Sequence, residues 1–345
     1  MPTSATKRAL IAIAVVVCVA AAGAGIYLYR LHRPLAGSSA GTAPDILSQL
    51  PAGAPAIAYI DVAALRKLQG SQLAAMLGLA GADPHEEREY ADFVRDTGFD
   101  YARDLDKVAV AIWPTSVPAP SGAPGESRIM AIADGRFDRD KIKAYALRSG
   151  EVVTQGAGSF YEVPGNPPVS FAFLSPTRIV LTNAKGLSIL TTMPGASEQN
   201  AMRERIERVA GAPIFAVART DTLPNSFYAN FRNAPQFENL ARSVQGLTLA
   251  GQPDGDEIHV AVDAECDSMK NALELSTLLD GLRMFGSMAL SDPKTRGQMT
   301  KQQAALLMAL ASRVKVTNQN KWVRLTLDIT PDMLAPASPA HADPR

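Results

Sequence analysis

His259, Asp263 and Cys266 fall within eight residues and form a local cluster with the residue types of a base, an orienter and a nucleophile. The chain around them reads as a strand, which puts His259 and Asp263 on one face. Four residues at about 3.3 Å each separate the two by about 13 Å. They cannot hydrogen-bond to each other, so the cluster offers no local base-and-orienter pair. The plainer account is an outward histidine on a half-wet strand and a small residue ahead of a helix cap at Asp267.

Two acidic groups invite a cation. Asp100, Asp104 and Asp106 lack the D-x-D-x-D-G spacing and the terminal bidentate Glu of a calcium loop, and read instead as the turn into a strand at 108–113. Asp254-Gly255-Asp256-Glu257 reads as a turn by the same test. Of the four histidines, His32 lies in the flank of the N-terminal apolar run, His85 in the first turn of a capped helix, His259 on an outward strand face and His341 in a Pro/Ala tail. No phosphate-binding loop, dinucleotide fingerprint, nucleophile elbow or H-E-x-x-H pair occurs. The expectation is no catalytic, cofactor-binding or metal-ligating residue, and no cofactor.

Composition narrows the class. Hydrophobic residues make up 47% of the 345 and charged ones 20%, enough for a sizeable core. Lys plus Arg and Asp plus Glu are both 34, and this balance argues against a nucleic-acid partner. Cys18 lies in an N-terminal apolar run and Cys266 in the folded part, so no disulfide between them is expected.

That run, 9–29, carries no charge and is flanked by Lys7 and Arg8 before and Arg30 and Arg33 after. At about 1.5 Å per residue it spans a hydrocarbon core of about 30 Å. A lipoprotein signal is disfavoured by Val17 ahead of Cys18, and a cleavable signal peptide would use Ala22-Gly23-Ala24. Length and the aromatic Tyr27 and Tyr29 favour an uncleaved anchor, with 1–8 cytoplasmic and the bulk outside; secretion after cleavage is the alternative. Ala21 and Gly25 have the small-xxx-small spacing of packed membrane helices, a common feature in such spans. Residues 30–44 read as a Pro/Gly/Ser tether.

The elements organise around a repeated stretch. Gly53-Ala54-Pro55 opens an apolar run at 56–62 and Gly211-Ala212-Pro213 another at 214–218, with Ala58 aligned to Ala216 and Leu65 to Leu223. Both read as short strands apolar on both faces and entered through a proline. Helices follow at 63–80 and after Asp83-Pro84. Hairpins read at 108–113 with 128–134, 152–154 with 160–163, and 169–174 with 178–182. Helices read after Asp138 and at 198–210. In the second half a hairpin, 244–250 with 257–264, is followed by a long helix capped by Asp267, with Met269, Leu273, Leu279 and Leu282 inward. A capping box at Thr300 and Gln303 precedes a helix at 304–313. The last hairpin, 314–317 with 322–330, turns Val323, Leu325, Leu327 and Ile329 in and Arg324, Thr326 and Asp328 to water. The stretches 129–146 and 258–275 match as strand-then-helix.

Leu50-Pro51-Ala52-Gly53-Ala54-Pro55 running into Ala58-Tyr59-Ile60-Asp61-Val62 and Leu65, with Gly135-Arg136-Phe137-Asp138 before Lys141-Ile142, resembles bacterial single-anchor envelope proteins whose domains have no assigned function. The resemblance implies an envelope location and this fold, and carries no catalytic residue. The expected architecture is α+β: two related units, 45–195 and 196–330, each an antiparallel sheet covered by helices, after one N-terminal transmembrane helix, with a tail at 331–345. The expected function is a membrane-anchored scaffold or binding module for an envelope protein or apolar ligand. The rival is an envelope hydrolase whose site assembles from residues distant in sequence.

Overall fold

The structure, a computed structural model, describes residues 44–66, 84–113, 128–186, 196–221, 235–291 and 312–330, apart from positions 52, 149, 156, 157, 165–167, 185, 255 and 256. Strands β1 (Ala56–Asp61), β2 (Leu105–Trp113), β3 (Arg128–Gly135), β4 (Glu151–Gln155), β5 (Gly158–Val163), β6 (Val169–Ser175) and β7 (Arg178–Thr182) come from the first half. The second half supplies β8 (Ile214–Arg219), β9 (Val244–Asp254), β10 (Glu257–Cys266), β11 (Lys315–Gln319) and β12 (Trp322–Ile329). All twelve join one antiparallel sheet in the order β11-β12-β10-β9-β8-β1-β2-β3-β7-β6-β5-β4. The helices are α1 (Val62–Arg66), α2 (Pro84–Thr97), α3 (Tyr101–Asp104), α4 (Arg139–Ala146), α5 (Ala196–Val209), α6 (Pro235–Ser243) and α7 (Met269–Ser291), with a 3₁₀ turn at Asp45–Gln49.

This overturns the expected α+β pair of units, each with its own helix-covered sheet. The described chain is dominated by one continuous sheet. The reason lies in β1 and β8, which are apolar on both faces and need a hydrogen-bonding neighbour on both edges. Each is the other's neighbour. Nor does the described fold contain the expected transmembrane helix or signal anchor. No helix among the described residues is long and apolar enough to cross a membrane. Residues 9–29, on which the anchor was placed, lie outside the described residues, as do the helix segments expected at 67–80 and 304–311.

The central pairing has two-fold character. Ala58 faces Ala216 across the β1–β8 ladder, the same two residues that the Gly-Ala-Pro overlay equates. Asp61 N–H donates to Pro213 O at 2.7 Å and Arg219 N–H to Pro55 O at 2.8 Å, so each proline accepts where it cannot donate. Moving outward, β2 bulges at Asp106, four residues before Val110, the partner of Ala58. β9 bulges at Gln245, four residues before Leu249, the partner of Ala216. These bulges equate Asp134 with Glu265, two residues away from the expected overlay of 129–146 on 258–275.

Helices cover both faces. On one, Ala58, Ile60, Val110, Ala131 and Leu181 pack with Phe93 of α2 and with Ile142 and Tyr145 of α4. On the other, Ile57, Tyr59, Ala109, Met130 and Phe215 pack with Ile46 and Leu47 of the 3₁₀ turn and with Met202 and Val209 of α5. Fully buried side chains such as Phe171, Phe215 and Ile132 each contribute about 1.5–3 kcal/mol by leaving water. α4 starts as expected, with Asp138 accepting from Lys141 N–H at 3.2 Å.

Candidate functional site

Along β10, His259, Ala261, Asp263 and Glu265 alternate with Ile258, Val260 and Ala264, which join apolar clusters on the other face. The polar face meets β12 on one side, so that His259 lies directly opposite Asp328 and Asp263 opposite Arg324. Helix α5 crosses this face and adds Arg205 and Arg208. Asp263 is 1% exposed and Glu265 6%, whereas Arg324, Thr326 and Asp328 of β12, expected to face water, are half-buried.

Each acid here is held by guanidinium or ammonium groups. Arg324 Nε and Nη2 donate to the two oxygens of Asp263 at 2.6 and 2.7 Å, a bidentate pair that raises the Arg324 pKa. Arg208 reaches Asp263 at 3.7 Å and lies 3.9 Å above the Trp322 ring. Glu265 accepts from Arg205 Nε at 2.8 Å and from Lys321 Nζ at 2.6 Å. Burial pushes its carboxyl up, but the hydrogen bonds from Lys321 and Arg205 outweigh this and leave it below its ordinary value. Lys321 is placed by the β11–β12 turn, where Asn320 takes a left-handed φ of 55°. The glycine at 246 makes room for Arg205: a Cβ there would overlap Nε, Cζ and Nη2, the last at 2.8 Å.

His259 and Asp263 are not brought together. His259 Nδ1 meets Asp328 Oδ1 at 2.6 Å and Nε2 faces Asp254 Oδ2 at 3.3 Å. The hydrogen bond to Asp328 raises the histidine pKa against a smaller opposing effect of burial, with Asp254 adding to the rise. This is an imidazole ring clasped between two carboxylates. A base and an orienter do meet, but the second ring nitrogen, which would take a nucleophile's proton, is turned to an acid. Cys266 sits fully buried on the opposite side with Ala264, Ala272 and Val323, its thiol pushed up to about 11 by burial and the charge of Asp267. A thiol so placed is inert.

The other acidic candidates are caps and ion pairs. Asp100 accepts from Ala102 N–H at the start of α3. Asp104 is buried, and hydrogen bonds led by that from Arg103, with Asp100 N–H and Arg136 adding, hold its carboxyl at about 2. Asp106 pairs with Arg66 at 3.5 Å, and Asp254 serves His259. Among the described residues no group of three or more His, Cys, Asp or Glu could hold a metal ion.

What sequence reasoning misplaced is the face of α7. The cap is Ser268, whose hydroxyl accepts from Asn271 N–H, and the inward side chains are Ala272, Leu275 and Leu279, packed on Cys266 and Val316. Met269, Leu273 and Leu282, expected inside, are 48–67% exposed, and Met284 and Met288 join them at the surface. The helix is apolar around most of its circumference, so periodicity alone could not choose which side the sheet takes.

No family model matches the chain, and no curated protein matches it. Among solved structures, crystal form III of TP0453 aligns at a TM-score of 0.43 and 10% identity, covering 85% of this chain and 96% of that one. Crystal form I of TP0453 aligns at 0.44 and 9% identity, with the same coverage. A TM-score below 0.5 does not establish a shared fold.

Proposed function

We propose that this chain is a non-catalytic scaffold or binding module, held outside the cytoplasmic membrane by the apolar run 9–29. Its docking element is α7, which would engage an envelope protein or apolar ligand. The observation that supports this reading most is the exposure concentrated on α7, where five large apolar side chains are left in water by a fold that buries most of its others. The polar face of β10 supports it from the other direction. Its buried acids are neutralised by bidentate or doubled cation contacts, and its histidine is clasped on both nitrogens. Such groups hold strands together; they are not poised to accept a substrate proton.

Two measurements test the proposal. Protease added to intact spheroplasts should digest the chain after the tether, and full protection would refute the extracytoplasmic placement. Met284→Glu with Met288→Glu should abolish biological activity without lowering the melting temperature, whereas His259→Ala should leave it intact. The reverse pattern, with both proteins folded, would favour the hydrolase.

A further inference from the structure

We infer that β4, the outermost strand at one end of the sheet, is a self-association edge that pairs antiparallel with β4 of a second copy of this chain, centred on Val153. The sheet is open, and its two ends are β4 and β11. Among the described residues β4 has one ladder partner, β5. Its outer edge therefore presents a row of backbone N–H and C=O groups. An extended backbone completes such a row as a ladder, whereas a lipid or an apolar small molecule has no main-chain amides to do so.

The two ends of the sheet are guarded differently. β11 begins at Lys315 and ends in Asn318 and Gln319, and its Val316 packs with α7. A lysine on an edge strand is a common block to pairing. β4 runs Glu151-Val152-Val153-Thr154-Gln155, with three β-branched residues in its centre and neither lysine nor proline. Its ladder with β5 has no register shift to twist the edge away. Glu151, Val152 and Thr154 are exposed, Val152 at 48%, while Val153 lies half-buried opposite Phe160.

The strand is its own complement. An antiparallel pair about Val153 sets Val153 against Val153, Val152 against Thr154 and Glu151 against Gln155. Every contact is then β-branched on β-branched or charged on neutral, and no like charges meet. Direction matters at Glu151, which already lies opposite Glu162 of β5. A parallel in-register pair would add the second copy's acid to that row. Pairing β4 with β11 of another copy would leave one β4 and one β11 open at the ends of a growing chain, whereas the two-fold pair closes with both β4 edges used. Five residues a side fall short of the roughly 800 Å² per partner of a standard interface, so the dimer is reversible and depends on concentration.

The test uses the full chain in detergent, with Cys18→Ser as background and buried Cys266 left in place. Single cysteines replace Val152, Val153 and Thr154, with Glu207→Cys, exposed on α5, as control. Directly opposed Cα atoms of an antiparallel pair lie about 4.5–5.5 Å apart, within disulfide reach, and those displaced by two residues about 8 Å, beyond it. Under mild oxidation Val153→Cys should form a linked dimer severalfold faster than Val152→Cys, Thr154→Cys or Glu207→Cys, although position 152 is the more exposed. Mixing Val152→Cys with Thr154→Cys should restore fast cross-linking, because the register sets those two positions face to face. Val152→Lys with Thr154→Lys opposes ammonium groups in two pairs and should weaken the dimer on the order of tenfold in sedimentation equilibrium. The run 9–29 is the same in every variant, so the comparison does not depend on it. Equal yields from the four single variants overturn the inference, as does a ladder of higher oligomers in place of a dimer. So does a protein in which neither Val153→Cys nor the mixed pair cross-links. Should Val153→Cys melt early, the mixed pair, at two exposed positions, decides alone.

Discussion

Gly246→Ala tests whether the polar face of β10 is a cooperative ionic lock. A methyl there collides with the Arg205 guanidinium at Nε, Cζ and Nη2. The guanidinium has little freedom to retreat, because Arg205 is 5% exposed and bonded to Glu265 at 2.8 Å. Displacing it removes a charge-assisted hydrogen bond, which contributes about 1.5–3 kcal/mol. Complete loss of one partner of a buried pair costs about 3–5 kcal/mol. Lys321 still holds the other Glu265 oxygen, so the expected destabilisation is about 2–3 kcal/mol. A double-mutant cycle in urea isolates the cause. With Arg205→Ala already in place the three colliding atoms are gone, and Gly246→Ala should be neutral or stabilising by up to about 1 kcal/mol, since alanine suits a strand better than glycine. An equal cost in both backgrounds, or no cost in the parent, would refute the steric argument and with it the role of Arg205 as the clamp.

Three further outcomes are expected. Asp104 has a folded pKa of about 2 against an ordinary 3.8, so its stabilisation is present above about pH 4 and lost as pH falls through 2. Asp104→Asn should cost at most about 2 kcal/mol at neutral pH and flatten the acid limb of a stability–pH curve, and an unchanged limb would refute it. For His259 the sign is opposite: its folded pKa is raised, so the clasp is complete below about pH 6.5 and weakens as pH rises through the folded value. His259→Gln should remove that alkaline loss, a few tenths to about 1 kcal/mol, and NMR titration of the ring should show the raised pKa. Cys266 should resist iodoacetamide in the native state at pH 8 and react only in denaturant, as peptide mass spectrometry would show; native labelling would contradict its burial and raised pKa.

Local signals were legible wherever one short segment carried both the pattern and its stop. Pro253 and Asp254 between two alternating runs mark β9 and β10 as a hairpin, and Asp138 marks the start of α4; both are found. The pairing of β10 with β12 was not legible, although its trace was present. The alternation of 322–330 puts Arg324 and Asp328 on one face, and that of 257–264 puts Asp263 and His259 on another. Laid antiparallel, the four side chains fall opposite one another with matched sign. The partners are 61 and 69 residues apart, and no local spacing brings them within reach. Helix α7 failed for a different reason, because an apolar circumference has no unique phase.

The single sheet follows from the two-sided apolar character of β1 and β8. Strands apolar on both faces must be covered above and below, and the helices do that. They must also be hydrogen-bonded on both edges, since a buried unpaired backbone group costs about 1–3 kcal/mol. β1 receives β2 on one edge from its own half, which leaves Ile57 to Ile60 with an open edge in the middle of an apolar layer. Among the described residues one other strand, β8, has the same entry, the same length and apolar residues on both faces. It too has only one neighbour from its own half, β9. Pairing Ala58 with Ala216 closes both edges at once, and the proline carbonyls at either end take the last two N–H groups. A feature that reads along the sequence as repetition becomes in space a requirement for fusion, and two separate sheets would have left both of those edges unsatisfied.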